Sequence, residues 1–599
     1  MGKINDILSP FTAWKHVVNK PVTIKDPVSR IAADRYRGFH KNNLEKCIGC
    51  GTCESICQNA AIDMVPVEGI ETKHGDSGLR PRIDYGRCCW CALCVDICTT
   101  NSLSMSNEYI WIDEDPEVFR FVPGAEKKSW DTRQAGWQKP SDNYELYDPQ
   151  RVKMGELSPE IRHDSFVEIV QGFSKEQAIA EADRCVECGI CTATCPSHMG
   201  IPEYIKAIRN DNLDQGLKIL YETNPLPEIC GRICTHKCET VCSVGHHGEP
   251  LSIRWLKRYI ADQNPADKYK EILNRGNIDD KGKKIAIIGA GPSGLSAAYY
   301  LSLMGYSCTI FEKLPQAGGM MRYGIPEYRL PYDQLDKDIN YILSLGVDIK
   351  YNATVGKDIT LEQLHNDYDA VYTGTGLHSG RSTRIPGTEH KNVYQAVDLL
   401  RDVSLGKEIP VAEKIVVIGG GNVAMDITRT IARLQKQKYG KVQVIATSLE
   451  SEEEMPADRE EIVEAREEMA IIEPGWGPVE IIIENDKITG LKVNKCLSVF
   501  DEERRFNPKF DKENQKIFPA DMVIESIGQG ADLSYITESF KENLEMDQRG
   551  RIIVDKHFQT SLKWFFAGGD IIQGPDVITG IANGHKAAIG IDKFINRNS

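Results

Sequence analysis

The sequence predicts a multidomain protein of α/β and α+β class, in which cysteine-rich segments precede two strand–turn–helix units. Three observations lead to this prediction. A chain of 599 residues is too long for one hydrophobic core and should form three or four domains. Seventeen of the 19 cysteines lie between Cys47 and Cys242. From residue 283 onward, short Val- and Ile-rich strands alternate with glycine turns and amphipathic helices, which is typical of α/β units.

The composition argues against several classes of protein. A formal net charge of −15 argues against a nucleic-acid binder, which normally presents a basic face. The sequence contains no run of 18 apolar residues, so no membrane span is predicted. The first residues, MGKINDILSPFTAWKHVV, lack the apolar core and cleavage site of a signal peptide. A cytoplasmic location is therefore expected.

The clustered cysteines predict bound metal rather than disulfides. A reducing cytoplasm disfavours disulfides, which also do not need a tight, repeated spacing. Clustered thiols in such a protein are more often metal ligands. The first two groups are Cys47-x2-Cys50-x2-Cys53-x3-Cys57 and Cys88-x2-Cys91-x2-Cys94-x3-Cys98.

In each of these groups, three thiolates at two-residue gaps surround one cubane and the longer gap carries the fourth away. In two-cluster ferredoxins that fourth cysteine ligates the other cluster. The predicted ligand sets are Cys47, Cys50, Cys53 and Cys98 for one [4Fe–4S] cluster, and Cys57, Cys88, Cys91 and Cys94 for its neighbour. Zinc, the alternative, leaves the third regular cysteine unexplained. Residues 41–106 resemble bacterial-type two-cluster ferredoxins, although Gln58 and Thr99 replace the usual proline after the fourth cysteine.

Two further cysteine groups lie between 156 and about 272, where apolar residues recur at helical spacing. They are Cys185-x2-Cys188-x2-Cys191-x3-Cys195 and Cys230-x3-Cys234-x3-Cys238-x3-Cys242. Sixteen cysteines remain when Cys89, Cys308 and Cys496 are set aside, which is the number that four cubanes require. Cys89 is expected to be a packed thiol beside a cluster, and Cys308 a core residue on a strand.

The first glycine motif, Gly289-x-Gly291-x-x-Gly294, follows the strand KKIAII and opens a helix. Its glycines suit a tight turn, a close approach to a pyrophosphate and close helix packing. The helix N-terminus offers free N–H groups to the phosphates. Glu312, at the end of the next strand, suits the ribose hydroxyls of an adenosine. The motif predicts a dinucleotide site.

A family resemblance covers about 156–599. The stretches RCVECGICTATCP and NPLPEICGRICTHKCETVC, followed by GAGPSG, resemble the small subunit of glutamate synthase and its relatives. These relatives include the N-terminal part of dihydropyrimidine dehydrogenase and the large subunit of the bifurcating NADH-dependent ferredoxin:NADP oxidoreductase. The resemblance implies a Rossmann-like FAD domain interrupted by a Rossmann-like NAD domain.

The resemblance also implies ligands for the two remaining clusters. Cys185, Cys188, Cys191 and Cys242 would hold one, and Cys195, Cys234 and Cys238 most of the other. In the family a Glu or Gln on the following helix often completes the second of these sets. The matching position here is Lys257, whose ammonium has no lone pair. Cys230 is therefore predicted as the substitute ligand.

For FAD, the resemblance extends to AGGMMRYGIPEYRLP and to FFAGGDIIQGPDVITGIANG, where Asp570 matches the family's ribityl contact. The residues predicted to bind FAD are Gly289, Gly291, Pro292, Ser293, Gly294, Glu312, Lys313, Gly319, Arg322, Gly569 and Asp570.

The second glycine motif resembles the nicotinamide-nucleotide motif that is inserted within the flavin domain. The alternative is a structural glycine turn in a vestigial domain. The residues predicted to bind the nucleotide are Gly419, Gly420, Gly421, Asn422, Val423, Ala424 and Asp426.

The sequence favours NADH over NADPH at this second motif. NADP sites place Arg near the end of the second strand, where it holds the 2′-phosphate, and NADPH-dependent relatives carry an arginine pair there. This chain has Thr447, Ser448 and Leu449 at those positions. The glutamates that follow would repel a phosphate dianion, although such a run also suits a solvated helix face: Glu450, Glu452, Glu453 and Glu454.

The resulting domain prediction has seven segments. They are an arm (1–40), a ferredoxin-like two-cluster domain (41–106), a connector (107–155), a helical iron–sulfur domain (156–272), the first part of the FAD domain (273–390), the NAD domain (391–520) and the second part of the FAD domain (521–599).

The predicted function is that of a subunit transferring electrons between NADH and ferredoxin or another redox subunit of a complex. FAD is the group that exchanges two-electron hydride for single electrons. No nucleophilic triad or paired carboxylate site is evident. The bifurcating relative raises electron bifurcation as a variant. One alternative is a glutamate synthase small subunit, which ordinarily lacks the ferredoxin domain. Another is a non-enzymatic electron carrier or scaffold whose nucleotide site no longer functions.

Overall fold

The computed structural model describes residues 14, 16–20, 32–132, 136–139, 148–574 and 576–598. These residues form two compact units. The first contains the described residues up to 149 together with 186–190 and 243–249, and the second contains 150–185, 191–242 and the described residues from 250 onward. Most of the predicted arm, 1–40, lies outside the described residues, as does part of the predicted connector, 107–155.

The strands of the described residues are short, apart from two of 14 residues each. In chain order they are β1 (His40–Asn42), β2 (Ile62–Pro66), β3 (Leu79–Asp84), β4 (Leu103–Met105), β5 (Arg120–Phe121), β6 (Lys284–Ile288), β7 (Ser307–Phe311), β8 (Asp348–Lys350), β9 (Ala370–Thr373), β10 (Ser379–Gly380), β11 (Val393–Gln395), β12 (Ile415–Ile418), β13 (Val444–Ser448), β14 (Ile471–Pro474), β15 (Trp476–Glu484), β16 (Lys487–Phe500), β17 (Phe506–Pro519), β18 (Met522–Glu525), β19 (Gln529–Gly530) and β20 (Phe565–Ala567).

The α-helices of the described residues are α1 (Thr52–Ser55), α2 (Leu93–Asp96), α3 (Pro159–His163), α4 (Lys175–Asp183), α5 (Ile190–Thr194), α6 (Ile201–Arg209), α7 (Leu213–Thr223), α8 (Pro227–Ile233), α9 (Lys237–Thr240), α10 (Ile253–Gln263), α11 (Tyr269–Ile272), α12 (Pro292–Leu303), α13 (Met320–Tyr323), α14 (Tyr332–Leu343), α15 (Leu361–Asp367), α16 (Ala396–Ser404), α17 (Asn422–Tyr439), α18 (Arg459–Glu467), α19 (Glu538–Lys541) and α20 (Val577–Asn598). Among these helices none is long and apolar enough to cross a membrane.

The first unit has an aromatic core between two small antiparallel sheets, β1–β4 and β2–β3–β5. Phe39 stacks on Trp130, with ring centroids 4.5 Å apart, and contacts Trp90 and Trp111 edge-on. Trp111 and Trp130 belong to the predicted connector, and Phe39 to the predicted arm. Both segments therefore contribute to the core, because the small sheets have few aliphatic side chains of their own to exclude water.

The second unit contains two parallel sheets. The first has the strand order β20–β9–β6–β7–β8 and the second the order β11–β18–β12–β13–β14. The interior strands β9 and β12 are buried throughout, as expected for parallel strands covered on both faces. An antiparallel sheet, β15–β16–β17, packs beside the second parallel sheet. The predicted α/β and α+β class is confirmed.

One predicted boundary differs from the structure. The prediction assigned 521–599 to the flavin domain, but β18 pairs in parallel register with β11 and β12. Residues 522–525 thus complete the second sheet. The reason is tertiary, since the buried strand MVIE carries no local signal for one sheet over the other and only its pairing decides where it belongs.

Two helices of the cysteine-rich segment pack closely. A Cβ atom at Gly231 of α8 would lie 2.8 Å from the Cα atom of Arg258 in α10. Beside this contact the buried Arg232 guanidinium pairs with Glu228 and Asp262 at 2.7 and 2.6 Å. Charges that are removed from water in this way need such partners. The spacing of α8 and α10 is therefore closely constrained.

Candidate functional site

The first glycine motif joins β6 to α12 in a tight turn. Gly289 has a φ of +96°, which a residue with a side chain rarely adopts. A Cβ atom at Gly294 would lie 2.0 Å from the Gly289 carbonyl oxygen. The first and third glycines are thus required by the protein itself. Gly291 differs, since its φ is −79° and a Cβ atom there would make only ordinary van der Waals contacts, with the Gly319 Cα atom at 3.9 Å and the Gly374 carbonyl oxygen at 4.0 Å.

The two glycine motifs open into one cavity of about 910 Å³. Both parallel sheets contribute residues to its lining. The predicted site residues that line it are Gly289, Gly291, Pro292, Ser293, Glu312, Lys313, Gly319, Gly569, Asp570, Gly421, Asn422, Val423 and Asp426. The other predicted glycine-motif residues, Gly294, Gly419, Gly420 and Ala424, do not line the cavity. A concave site of this size suits a large organic ligand.

Two carboxylates in the flavin part of the cavity are held in place by the backbone. Glu312, at the end of β7, accepts hydrogen bonds from the Ala290 and Leu314 N–H groups, each at 2.8 Å. Burial raises the pKa of Glu312, and it raises the pKa of Asp570 to about 6. Both groups can accept or donate hydrogen bonds to ligand hydroxyls. Their placement fits the ribose and ribityl contacts predicted for FAD.

Arg322 does not line this cavity, in contrast to its predicted contact with FAD. Its Nε donates to the Ala317 carbonyl oxygen at 2.8 Å, and its guanidinium pairs with Asp336. The side chain is buried against α14 and stabilises the loop that begins at Ala317. The arginine therefore supports the cavity wall rather than the ligand.

The nucleotide motif holds a carboxylate–arginine pair that sequence reasoning missed. Asp426, on α17, accepts two hydrogen bonds from Arg329 Nη1, at 2.7 and 2.9 Å. Arg329 Nε lies 2.7 Å from Glu461 on α18, and burial raises the pKa of Asp426 to about 6. Arg329 and Asp426 both line the cavity. The available signal was YRLP, the end of a stretch assigned to the flavin site.

The acidic run after β13 places one carboxylate beside the second glycine turn. A Cβ atom at Gly420 would lie 3.0 Å from Glu450 Oε2. The arginines of α18 are engaged elsewhere, since Arg459 and Arg466 donate to Glu452 at 2.9 and 2.7 Å. The hydrogen bonds from Arg466 lower the pKa of Glu452 to about 2. The turn thus faces an acidic rather than a basic side chain.

In the first unit, thiols of the two cysteine groups act electrostatically on one another. Burial raises the pKa of Cys53, and the charges of Cys50, Cys94, Cys98 and Cys47 raise it further. Burial likewise raises the pKa of Cys94, followed by the charges of Cys88, Cys91 and Cys57. Such mutually repelling thiolates need a cation among them, which is the environment that cluster iron supplies. The donor chemistry therefore fits two iron–sulfur clusters.

The remaining cysteines are distributed as follows. Cys191 and Cys195 are buried, and Cys185, Cys188 and Cys242 are half-buried. Cys308 lies on β7 and is 3% exposed, as predicted, but Cys89 is exposed and not packed. In the described residues no three His, Cys, Asp or Glu side chains meet around a single metal ion.

A buried lysine lies among the thiols of the second unit. Cys230 is fully buried on α8, and Lys257 is 5% exposed on α10. Burial lowers the pKa of Lys257, but the charges of four thiols more than reverse this effect and leave its pKa raised: Cys234, Cys230, Cys238 and Cys195. These four thiols therefore all act electrostatically on one ammonium group. The predicted substitute, Cys230, belongs to the same group as the three ligands implied by the resemblance.

The flavin cavity borders this thiol group. Ile233, Thr235 and Lys237, which flank the predicted ligands Cys234 and Cys238 in sequence, line the cavity. Thr235 Oγ1 and Lys237 Nζ each lie 3.3 Å from Asp576 Oδ2, just before α20. Sequence reasoning missed these residues, although their positions between ligands were a usable signal. The segment between Cys234 and Cys238 and the residues just before α20 therefore line the same side of the cavity.

Three protein families match the chain. Residues 46–102 match the family described as "4Fe-4S dicluster domain". Residues 162–269 match "Dihydropyrimidine dehydrogenase domain II, 4Fe-4S cluster". Residues 283–588, just over half of the chain, match "Pyridine nucleotide-disulphide oxidoreductase".

Three relatives illustrate how far the similarity extends. The chain is 38% identical over 434 residues to the beta subunit of the NADP(+)-dependent formate dehydrogenase of Moorella thermoacetica, covering 68% of this chain and only 60% of that subunit. It is 34% identical to the glutamate synthase [NADPH] small chain of Escherichia coli K12, covering 76% of this chain and 98% of that one. It is 30% identical to AegA of Escherichia coli K12, which is named as an oxidoreductase, and the match covers 93% of this chain and 87% of that one.

Proposed function

The chain belongs to the pyridine nucleotide-disulphide oxidoreductase family and is an iron–sulfur flavoprotein oxidoreductase with additional 4Fe-4S domains, and from this premise we propose that it transfers electrons between NADH and a protein partner. In this proposal it binds one FAD and four [4Fe–4S] clusters. The reducing conditions that thiolate clusters need favour the cytoplasm.

The shared cavity carries this proposal. One wall bears the flavin motif, one bears the nucleotide motif, and a third lies between the predicted cluster ligands Cys234 and Cys238. Bound FAD would supply the exchange between a two-electron hydride and single electrons. In this proposal FAD, the nucleotide and the cluster held in part by Cys234 and Cys238 would lie around one space. A protein that only bound a dinucleotide would not need the third wall.

The residues of the chain have defined tasks in this proposal. The N–H groups at the start of α12 and α17 would hold the two pyrophosphates. Glu312 and Asp570 would hold ribose and ribityl hydroxyls of FAD. Arg329 and Asp426 would orient the nicotinamide half of the nucleotide, since their pair lines the cavity between the two motifs.

The fourth cluster is proposed to have only thiolate ligands, namely Cys195, Cys230, Cys234 and Cys238. The supporting observations are that all four act electrostatically on the buried Lys257 ammonium and that Cys195, Cys230 and Cys234 are themselves buried. The third cluster would be held by Cys185, Cys188, Cys191 and Cys242, as the resemblance implies.

NADH is the proposed nucleotide because Glu450 lies beside the glycine turn. A carboxylate at this position accepts hydrogen bonds from ribose hydroxyls and repels a 2′-phosphate. The two nearby arginines both pair with Glu452. Two of the relatives are named for NADP(+) or NADPH, so the choice of nucleotide is the sharpest test of this site.

Anaerobic flavin reduction tests both the activity and the nucleotide. The full chain should be reduced by NADH at least tenfold faster than by NADPH. Glu450→Ala should lower the apparent affinity for NADH about tenfold, the value of one charge-assisted hydrogen bond. Glu453→Ala, which alters an exposed neighbour, is the matched control and should leave the apparent affinity for NADH unchanged. Equal or faster reduction by NADPH would contradict the nucleotide assignment.

A second variant tests whether the nucleotide site is functional or vestigial. Gly421 has an ordinary φ of −94°, and a Cβ atom there would meet no heavy atom within 4 Å. Gly421→Ala should therefore fold normally and keep its FAD. Its methyl group would displace the pyrophosphate, and flavin reduction by NADH should slow about a hundredfold. Reduction by dithionite should be unchanged. An unchanged rate with NADH would support a vestigial site.

The partner is proposed to be ferredoxin or another redox subunit. The second candidate is a glutamate synthase small subunit, which the 98% coverage of the Escherichia coli small chain favours. The dicluster match at 46–102 argues against it, because that subunit ordinarily lacks a ferredoxin domain. An anaerobic pull-down identifies the partner, and recovery of a glutaminase-type large chain would favour the second candidate. Bifurcation predicts that NADH oxidation needs two acceptors at once.

A further inference from the structure

A buried histidine contacts one of the predicted cluster ligands of the first unit. His40, on β1, is 1% exposed, and its Nε2 atom lies 3.2 Å from Cys94 Sγ. No cysteine or glycine motif pointed to this residue, which precedes the first cysteine group by seven positions. A second hydrogen bond holds His40 in the core, since Trp130 Nε1 donates to the His40 carbonyl oxygen at 3.4 Å.

Tyr85 contacts the other ring nitrogen of His40. The tyrosine oxygen accepts a hydrogen bond from the His40 backbone N–H group at 2.9 Å, and it lies 3.2 Å from Nδ1. A phenol has one proton to donate, and that proton can be directed to Nδ1. Nδ1 is then the acceptor, so that the neutral imidazole carries its proton on Nε2.

The other tautomer would be unfavourable at both ends of the ring. With the proton on Nδ1, two N–H groups would point at one phenol oxygen. The Nε2 lone pair would then face the lone pairs of the Cys94 sulfur. Repulsion of this kind costs more in a buried site than in water, because the local dielectric is low. The aromatic rings of Phe39, Trp90 and Phe121 pack around Tyr85 with centroids 5.1 to 5.3 Å away and exclude solvent.

We propose that His40 donates a hydrogen bond from Nε2 to Cys94 Sγ and thereby raises the reduction potential of the cluster held by Cys57, Cys88, Cys91 and Cys94. This inference rests on the ligand set of the proposed function. A hydrogen bond to a ligating sulfur stabilises the more negative, reduced form of a cluster. Tyr85 acts through His40 by fixing the tautomer. His40 and Tyr85 are thus positioning residues for electron transfer.

Redox titration of the reconstituted full chain, followed by EPR with chemical mediators, tests this role. His40→Leu should favour the oxidised form of one cluster by about tenfold, a fall of about 59 mV for a one-electron centre. The other three clusters should keep their potentials, and the iron content should not change. His40→Gln retains an N–H donor and should restore most of the potential.

Tyr85→Phe provides a second, independent measurement. It leaves every ligand and His40 in place but removes the phenol that selects the tautomer. The same cluster should shift in the same direction by a smaller amount. Unchanged potentials in both His40→Leu and Tyr85→Phe, with full iron content, would overturn the proposal. If His40→Leu fails to assemble its clusters, Tyr85→Phe and His40→Gln decide the outcome. Mediators replace NADH here, so a failure of the proposed function leaves this test intact.

Discussion

The Cys230→Ala variant is expected to lose one of the four iron–sulfur clusters, about a quarter of the iron of the full chain. Cys230 is fully buried and shares its surroundings with Cys195, Cys234, Cys238 and Lys257. A cubane with three thiolates needs a fourth donor, and the Lys257 ammonium has no lone pair with which to replace the lost sulfur. Iron and acid-labile sulfide analysis, with EPR of the reduced protein, measures the loss.

A double variant makes this prediction specific. In the resembled family a Glu or Gln at the position of Lys257 often completes the cluster, so Cys230→Ala combined with Lys257→Gln should recover the missing iron. Cys308→Ala, which removes a buried thiol of β7 outside the predicted ligand sets, is the matched control and should retain all four clusters. Full iron content in Cys230→Ala alone would show that another residue supplies the fourth ligand.

The Gly291→Ala variant is expected to fold normally but to lose FAD. Gly291 has an ordinary φ, and an added methyl group would make only ordinary van der Waals contacts, with the Gly319 Cα atom at 3.9 Å and the Gly374 carbonyl oxygen at 4.0 Å. The methyl group would, however, occupy the space through which the pyrophosphate approaches the start of α12. Each charge-assisted hydrogen bond lost there is worth about 1.5 to 3 kcal/mol, so the affinity should fall at least a hundredfold. Flavin absorbance per protein measures this loss.

Gly530→Ala is the matched control for the flavin variant. Gly530 lies on β19 outside the cavity lining, and its Cβ atom would meet only the Ser379 carbonyl oxygen, at 3.9 Å. This variant should keep its flavin. Circular dichroism and thermal unfolding should match for the two variants when each is stripped of FAD. Normal flavin content in Gly291→Ala would contradict the assignment of this turn to the pyrophosphate.

Local spacing made much of the site predictable. The spacing of the cysteines from Cys47 to Cys57 is a pattern of only a few residues. The turn at Gly289 likewise depends on the local backbone, which requires glycine there. Arg322 shows where this approach failed. It lies in a stretch that contributes to the cavity, but packing turns its guanidinium toward Ala317 and Asp336 instead. Side-chain direction depends on neighbours that the local pattern does not specify.

The sequence by itself determined the family, the α/β and α+β class, the cysteine motifs and the two glycine turns, because each depends on composition or on short-range spacing. Only the tertiary structure decided the pairing of Arg329 with Asp426, 97 residues apart, the contact of His40 with Cys94, and the placement of β18 in the second sheet. These features depend on which distant segments are packed together. Their free energy comes from burial and from charges that find partners away from water, which no local pattern encodes.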